Sequence, residues 1–544
     1  MFSIKIGESI HNFEDKVTLK DLAKSLGVEC YAAKVNNRLR ELNYYVNYNC
    51  DIEFLDLNSF EAVRVYETSL RYLIIMALER IYKNVKVSFN QCVSRAISCN
   101  VEGINEKIDS MFLKKLEDKM NELISLDLDI TRKTISLEEA NEMYQKIGYL
   151  DKVEVLKYRP EKTVNIYECD GYVNYLFGYM VPSTGYLKKF RLRLYNPGFV
   201  VQFPRAEFKG EIPNFEDNPS FGRMIKDSQN WVKICECDTI PRLNEHANKE
   251  SVVDLVNMCE TKHTNMLAEL GLKIKENIDD IRLIAIAGPS SSGKTTFSHR
   301  LRIELMTRGI KPVKISMDDY YLERSECPLD IDGKPDLEHV EALDIDLFNR
   351  HMLALIQGEE VELPVFDFKT GKRKVGKKIR IENNSPIIIE GIHALNDRLT
   401  SLVPKHQKFK IYISPLSEIK IDGHNPINAS ELRLLRRCVR DAKFRKTDPA
   451  DTLAMWPSVR RGEFKWIYPF QEQADYVFNS ELTYELGVMK KYALPALQKV
   501  GRNEAHFIAA NRLVKFLKYI EDIDDKYVPC NSLLREFIGD GVFK

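Results

Sequence analysis

The stretch Ile281-Arg-Leu-Ile-Ala-Ile-Ala-Gly288-Pro-Ser-Ser-Ser-Gly293-Lys294-Thr295-Thr296 decides the fold of the C-terminal half of this chain. An apolar run leads into Gly288, and the eight residues from there satisfy G-x-x-x-x-G-K-[ST] in full. TFSHRLRIELMTRG then keeps helical character as far as Gly309, so the motif stands where a strand passes into a helix. Backbone N–H groups of such a loop and of the first helical turn converge on phosphate oxygens, and the helix dipole favours negative charge there. Gly288, Ser290, Ser291, Ser292, Gly293, Lys294, Thr295 and Thr296 are therefore the nucleotide-binding candidates. Lys294 is expected to reach the β- and γ-phosphates, and the Thr295 hydroxyl to hold Mg²⁺. The plain alternative is a serine-rich turn before an ordinary helix, and the strand–loop–helix context argues against it.

Outward from this loop, LIAIAG, VKISMD, PIIIEG and FKIYIS are short continuous apolar runs separated by helical pattern. Strands buried on both faces of a parallel sheet read this way. Ligands of such sheets collect at the carboxyl ends of the strands. Asp318 and Asp319 end the second run and Glu390 ends the third, a Walker-B-like position. A carboxylate there can accept a substrate hydroxyl proton or complete a magnesium shell, as phosphoryl transfer requires. Each acid taken singly could be a solvated strand end; three strand ends carrying GKT, D and E together favour chemistry. Further on, ELRLLRRCVRDAKFRK carries Arg433, Arg436, Arg437, Arg440, Lys443, Arg445 and Lys446. Spacings of three and four place Arg433, Arg437 and Arg440 on one helical face, suited to closing over phosphates. A solvated basic helix or an RNA-contacting face is the alternative. A GTPase switch is disfavoured, since no N-K-x-D-type segment is found.

Length and composition bound the rest. At 544 residues and 63.1 kDa the chain predicts several domains. Eighty basic and 80 acidic residues cancel, which excludes nucleic-acid binding by bulk positive charge while leaving a local patch open. Apolar and charged fractions of 44% and 29% exclude global disorder. There is no apolar run of about 18 residues, and MFSIKIGESIHNFEDK does not read as a signal peptide, so no membrane and a cytoplasmic location are expected. Eleven scattered cysteines without a C-x-x-C pair read as reduced, mostly buried thiols. The expected organisation is a small β-rich module at 1–57, an α+β domain at 58–240, a linker helix at 241–280, an α/β domain with a parallel sheet at 281–482, and C-terminal helices with a polar tail at 483–544.

From Ile284 to about Phe478 the chain resembles the uridine kinase/phosphoribulokinase family of P-loop kinases. The resemblance rests on AGPSSSGKTT, ISMDDYY, DLEHVEALDIDLF, ELPVFDFKTGKR, IIIEGIHAL and RRCVRDAKFR. It implies Asp318 as the general base, Thr295, Asp318 and Glu390 as the Mg²⁺ site, and Lys294, Arg437 and Arg440 as stabilisers of the moving phosphoryl group. It places Arg445 with Arg437 and Arg440 in a mobile lid near the nucleotide, and Glu338, or else Asp336, at the ribose hydroxyls. Tyr321, Phe366 and Arg437 would border the acceptor. Pyrimidine nucleoside kinases read the base with a Tyr and a His where this chain has Phe366 and Gly371, and loss of hydrogen-bonding groups removes strong discrimination.

The first 240 residues resemble the amino-terminal region of threonyl-tRNA synthetase. Residues 1–57 are similar to its TGS module, VYETSLRYLIIMAL to its His-x3-His helix, and GYVNYLFGYMVPSTGYLKKFRL to its Cys-x3-His segment. Thr68, Tyr72, Leu176 and Met180 stand where the resemblance implies ligands, and none is a zinc ligand at neutral pH. A degenerate editing-like fold without metal or deacylation is expected. RNA contact through this half, by way of KKFRLRLY for example, and a homo-oligomer stay open. The whole reads as a TGS-like module, an editing-like domain and a kinase that moves phosphate from ATP·Mg²⁺ to a small hydroxylated acceptor. A nucleoside 5′-hydroxyl, uridine- or cytidine-like, is the first expectation; a non-nucleoside sugar or polyol, or an RNA-binding regulator with a nucleotide-sensing loop, are the competitors.

Overall fold

The computed structural model describes residues 1–543 apart from 332, 368–369, 383–384 and 417–418. Near the N-terminus, FSIKI and DIEFLD alternate apolar and polar residues and pair in parallel inside a five-stranded sheet. Its order is Ser9–Phe13, Phe2–Ile6, Cys50–Leu55, Ala32–Val35, Arg38–Arg40. Ile4, Leu22, Ala33 and Ile52 form its core under the helix Leu19–Ser25. That helix starts at Thr18, whose hydroxyl accepts from the Asp21 N–H at 3.0 Å.

The helix Phe60–Ile81 begins at a Ser59 cap and is buried along most of its length, with Arg64, Glu67 and Arg71 forming a charged stripe on one side. It lies against a four-stranded antiparallel sheet of Arg191–Tyr195, Gly198–Gln202, Ala96–Glu102 and Lys86–Val93. A separate three-stranded sheet, Thr131–Ser136, Thr163–Cys169 and Tyr172–Asn174, carries the helix Leu137–Ile147, started by a Ser136/Glu139 capping box.

Within the C-terminal half we label strands β1 Leu283–Ala287, β2 Val313–Ser316, β3 Val361–Asp367, β4 Lys372–Ile379, β5 Ile387–Glu390, β6 Lys408–Ser414 and β7 Tyr476–Asn479. The runs expected to be buried strands form one parallel sheet in the order β2-β5-β1-β6-β7. β3 and β4 form a separate antiparallel hairpin beside it. Helices α1 Ser251–Glu276, α2 Lys294–Thr307, α3 Ala429–Arg440, α4 Pro449–Trp466, α5 Glu485–Leu497 and α6 Phe507–Leu517 pack around these strands, as does the helix Ile345–Ile356.

Two of the expected boundaries differ from the packing. The stretch set apart as a linker is two helices, Ile240–Ala247 and α1, and the inner face of α1 (Leu255, Cys259, Leu267, Leu270) belongs to the same core as β1 and β6. Residues 485–538, expected to be an appendage, supply Leu486, Leu513, Leu533 and Phe537 to that core as well. An amphipathic helix looks alike in sequence whether it bridges domains or walls one in, which is why the pattern did not separate the two.

The halves are joined by an arm, Lys420–Asn428, reaching back from the kinase-like unit. Lys152 meets Asp422 at 3.1 Å with both side chains buried, and the Phe177 N–H donates to Asn425 at 2.6 Å. No helix among the described residues is long and apolar enough to cross a membrane.

Candidate active site at the phosphate loop

β1 delivers the chain to Gly288 beneath β6, where a Cβ would stand 2.1 Å from the Ile413 carbonyl, so only glycine permits this approach. The loop then climbs through Ser291 at φ +59° to Gly293 at φ +90°, and α2 starts at Lys294. Ser291 and Ser292 are buried with their hydroxyls unpartnered. Lys294 Nζ donates to the carbonyls of Gly288 and Pro289 at 2.9 and 3.2 Å, folded over the loop it is expected to serve.

The strand-end acids come together here. The Thr295 hydroxyl donates to Glu390 Oε1 at 3.2 Å, and Lys314 Nζ approaches the same oxygen at 3.6 Å. A hydroxyl and a carboxylate so placed are the hard-oxygen set that Mg²⁺ takes alongside phosphate oxygens, and these residues fit that ion. Asp318 follows β2 in a short 3₁₀ turn capped by the Ser316 hydroxyl. It is open to solvent, hence to a substrate, while the cleft walls around it desolvate the carboxyl. That desolvation and the negative charge of Glu390 raise its pKa to about 6, against the opposing pull of Lys294.

On the acceptor side, Glu338 Oε2 is buried without a hydrogen-bond partner. Burial raises its pKa to about 7, although Arg437 pulls the other way. A Cβ on Gly462 of α4 would stand 2.4 Å from the Glu338 Cβ, so this glycine makes the room. Asp336, the other carboxylate considered, caps the turn instead by accepting from the Glu338 N–H at 3.0 Å. Tyr321 is buried with its hydroxyl donated to the Leu337 carbonyl at 3.0 Å, and its ring meets Phe366 at 5.6 Å. The Phe366 N–H donates to Asp319, which ties the β3–β4 hairpin to the end of β2. Gly371 turns that hairpin at φ +68°, packed against Arg324.

The arginine helix is where the structure corrects the reading. Of the residues expected on one open face, Arg433 is buried and holds both oxygens of Glu463, while also donating to the Ser290 carbonyl at 3.2 Å. Burial would raise the Glu463 pKa, yet Arg433 and Arg460 hold it at about 2. Arg436 is fully buried against Glu485. Arg437 donates to the Ser290 hydroxyl at 2.8 Å. Thus α3 is not a solvated basic helix: it is docked on the phosphate loop, with acids from α4 and α5 neutralising its inward guanidiniums. Only the π-turn at its end, Asp441–Arg445, leaves Arg445 exposed. Asp441, 1% exposed, gathers Arg437, Arg440 and Arg445 at 3.4, 2.8 and 3.6 Å.

Sequence reasoning missed Asp441, Gly462 and the C-terminal segment. Leu533 packs so closely on Gly293 that a Cβ there would stand 2.4 Å from it. Glu536 accepts the Thr296 N–H at 2.9 Å, and Phe543 stacks on His299 at 5.4 Å. Lys443 donates to the Ile538 carbonyl from the other side. CNSLLREFIGDG belongs to the stretch over which the chain resembles its family, but nothing in its spacing announces its seat on the phosphate loop.

In the N-terminal half, the four positions compared with a ligand set are all buried. Tyr72 donates to the carbonyls of Tyr167 and Tyr172, Thr68 packs beneath Gly178, and Leu176 and Met180 are core residues. Among the described residues no three His, Cys, Asp or Glu side chains are gathered as a metal site.

Residues 283–486 match the model of the Phosphoribulokinase / Uridine kinase family. The threonine–tRNA ligase 1 of Bacillus subtilis is 31% identical over 189 residues, 34% of this chain and 29% of the ligase. The chain thus spans about three-tenths of the length of the ligases first matched. A solved structure proposed to be a fructose transport system kinase, from Silicibacter sp., is 19% identical, covering 39% of this chain and 98% of its own at a TM-score of 0.29. One proposed to be a uridine kinase, from Bacillus stearothermophilus, is 18% identical over 38% of this chain and 100% of its own, at 0.25. Scores this low add nothing to the fold, which stands on the strand order and the loop. The C-terminal region is a P-loop kinase unit of the phosphoribulokinase/uridine kinase family, joined to an N-terminal region similar to that of threonine–tRNA ligases.

Proposed function

We propose that this kinase transfers the γ-phosphoryl group of ATP to the 5′-hydroxyl of a nucleoside, giving a nucleoside monophosphate and ADP. The observation that carries the reading is Asp318: a solvent-reachable carboxyl, raised to about 6, on the same strand-end edge as Lys294, Thr295 and Glu390. A base with that pKa is mostly ionised at neutral pH and still able to take a proton. In this reading Asp318 orients the acceptor hydroxyl and takes its proton as the O–P bond forms. Lys294, with Arg437 and Arg440 from the end of α3, neutralises charge on the phosphoryl oxygens. Mg²⁺, when bound at Thr295 and Glu390, adds charge neutralisation between the phosphates. Arg445 borders the nucleotide, and Glu338, with its unpartnered oxygen, accepts hydrogen bonds from sugar hydroxyls.

A non-nucleoside polyol or sugar is the second reading. It is favoured by the apolar pairing of Phe366 with Tyr321, whose hydroxyl proton is already given to Leu337, so that neither ring offers a base a free donor. ADP release from ATP·Mg²⁺ against a panel of nucleosides, sugars and polyols, with Asp318→Ala as control, separates the two. Turnover with a nucleoside that the variant loses supports the first reading; turnover with polyols alone supports the second. No acceptor-dependent turnover defeats both and favours a nucleotide-sensing regulator.

A further inference from the structure

A cavity of about 220 Å³ lies between the two halves, and none of Lys294, Asp318, Glu338 or Glu390 lines it. Arg64, Arg95 and Arg205 enter it from the N-terminal half, and Arg433 and Arg460 from the kinase unit. Five arginines face three glutamates there. Counting the charges directly behind them (Arg71 and Arg512 against Glu61, Glu431 and Glu463) leaves the positive surplus at one. The guanidiniums are therefore short of counter-charge: Arg64 and Arg512 share Glu431, and Arg433 and Arg460 share Glu463.

Arg95 has no carboxylate within ion-pair distance among the described residues. Its Nε is buried without a hydrogen bond, and its guanidinium lies over the rings of Phe464 at 4.3 Å and Phe208 at 4.9 Å. Rings on this side leave its forked N–H edge for a planar or tetrahedral oxyanion. The backbone holds it there at a conformational cost. Ser94 and Arg95 form the two-residue turn between Lys86–Val93 and Ala96–Glu102 with φ +46° and +65°, where Asn-Gly is the favoured pair. Ser94 is pinned by accepting the Glu216 N–H at 2.7 Å, and the Arg95 carbonyl accepts from Arg205. A strained turn that aims an unpaired cation into an enclosed, partly desolvated space points to a bound anion.

We propose that this cavity is a binding site for a small phosphate monoester, whose negative charge answers the surplus and whose oxygens suit the arginine forks. The apolar side of the cavity, at Phe60 and Val63, takes the organic body. Bound there, the ligand bridges the halves, and Arg433 links the site to the phosphate loop through the Ser290 carbonyl at 3.2 Å. The site stands on its own observations, apart from the proposed reaction.

The test uses the full chain carrying Lys294→Ala, which disables the phosphate loop, titrated with inorganic phosphate against sodium chloride of equal ionic strength. The expected result is a saturable rise in melting temperature. Adding Arg95→Asn weakens phosphate binding about tenfold or more. Asparagine suits the left-handed backbone, so that variant melts no lower than its parent without phosphate and a folding defect does not mimic the result. Arg95→Lys, which keeps the charge and loses the fork, fails to restore affinity. A rise no greater than that from chloride, or one untouched by Arg95→Asn, overturns the site. Neither outcome depends on turnover, so the site can fail while the kinase reading stands, and the reverse.

Discussion

Glu536 Oε2 accepts a hydrogen bond from the Thr296 backbone N–H at 2.9 Å. That N–H belongs to the helix-start donors that cradle nucleotide phosphates, so a carboxylate of the chain itself sits where anionic ligand oxygens are to bind. Glu536→Gln keeps an acceptor and removes the charge. Fluorescent ATP-analogue titration is expected to show binding about 3- to 10-fold tighter than in the parent, the scale of one charge at a helix start.

The pH dependence follows from two raised carboxyls. Asp318 is raised to about 6 and Glu338 to about 7, chiefly by desolvation, and both are needed ionised. Acceptor kcat/KM therefore rises with pH through two breaks and falls with a slope near two below the lower one. Glu338→Gln leaves a single break near 6. Asp318→Asn lowers kcat by about 100-fold or more and leaves ATP affinity within about twofold.

Gly462 has no room for a methyl group against Glu338. Gly462→Ala is expected to push the Glu338 carboxylate out of position and lower acceptor kcat/KM by about 10- to 100-fold, the cost of a misplacement near 1 Å. ATP affinity, measured separately, is expected to change far less, because the added methyl meets Glu338 and not the phosphate loop.

Asp441 is the shared counter-charge of Arg437, Arg440 and Arg445. Asp441→Asn leaves two mostly buried guanidiniums uncompensated, and urea unfolding is expected to register a loss of about 3 kcal/mol. High salt recovers little of it, since buried pairs are poorly screened.

Hydrolysis of mischarged threonine-specific tRNA by the N-terminal half is expected to stay at the buffer rate. Thr68, Tyr72, Leu176 and Met180 fill the interior where a reactive set would need an open cavity. Turnover above that rate would overturn this reading.

The legible parts of the sequence were those written in local spacing. The four apolar runs, the loop glycines and the acids at strand ends all depend on near neighbours. What stayed hidden depends on residues far apart in the chain. Arg433 read as one cationic face with Arg437 and Arg440 because nothing nearby announces Glu463, 30 residues later, and nothing near Arg436 announces Glu485, 49 residues later. The hairpin β3–β4 passed as an undivided segment, since KRKVGKKI has the charge of a solvated strand and little apolar alternation. Glu536 is 240 residues from Thr296, and no motif links them.

The seating of Leu533 on Gly293 bears on how the chain matures on the ribosome. The loop glycine is synthesised long before its cover, and α5, α6 and the final turn must emerge before the core around β1 and β6 can close. Domains elsewhere commonly fold in order of emergence. Here a nascent chain halted before Leu533 would carry an intact phosphate-loop sequence on an unfinished fold, so a competent nucleotide site doubles as a mark that translation has run to the end of this segment.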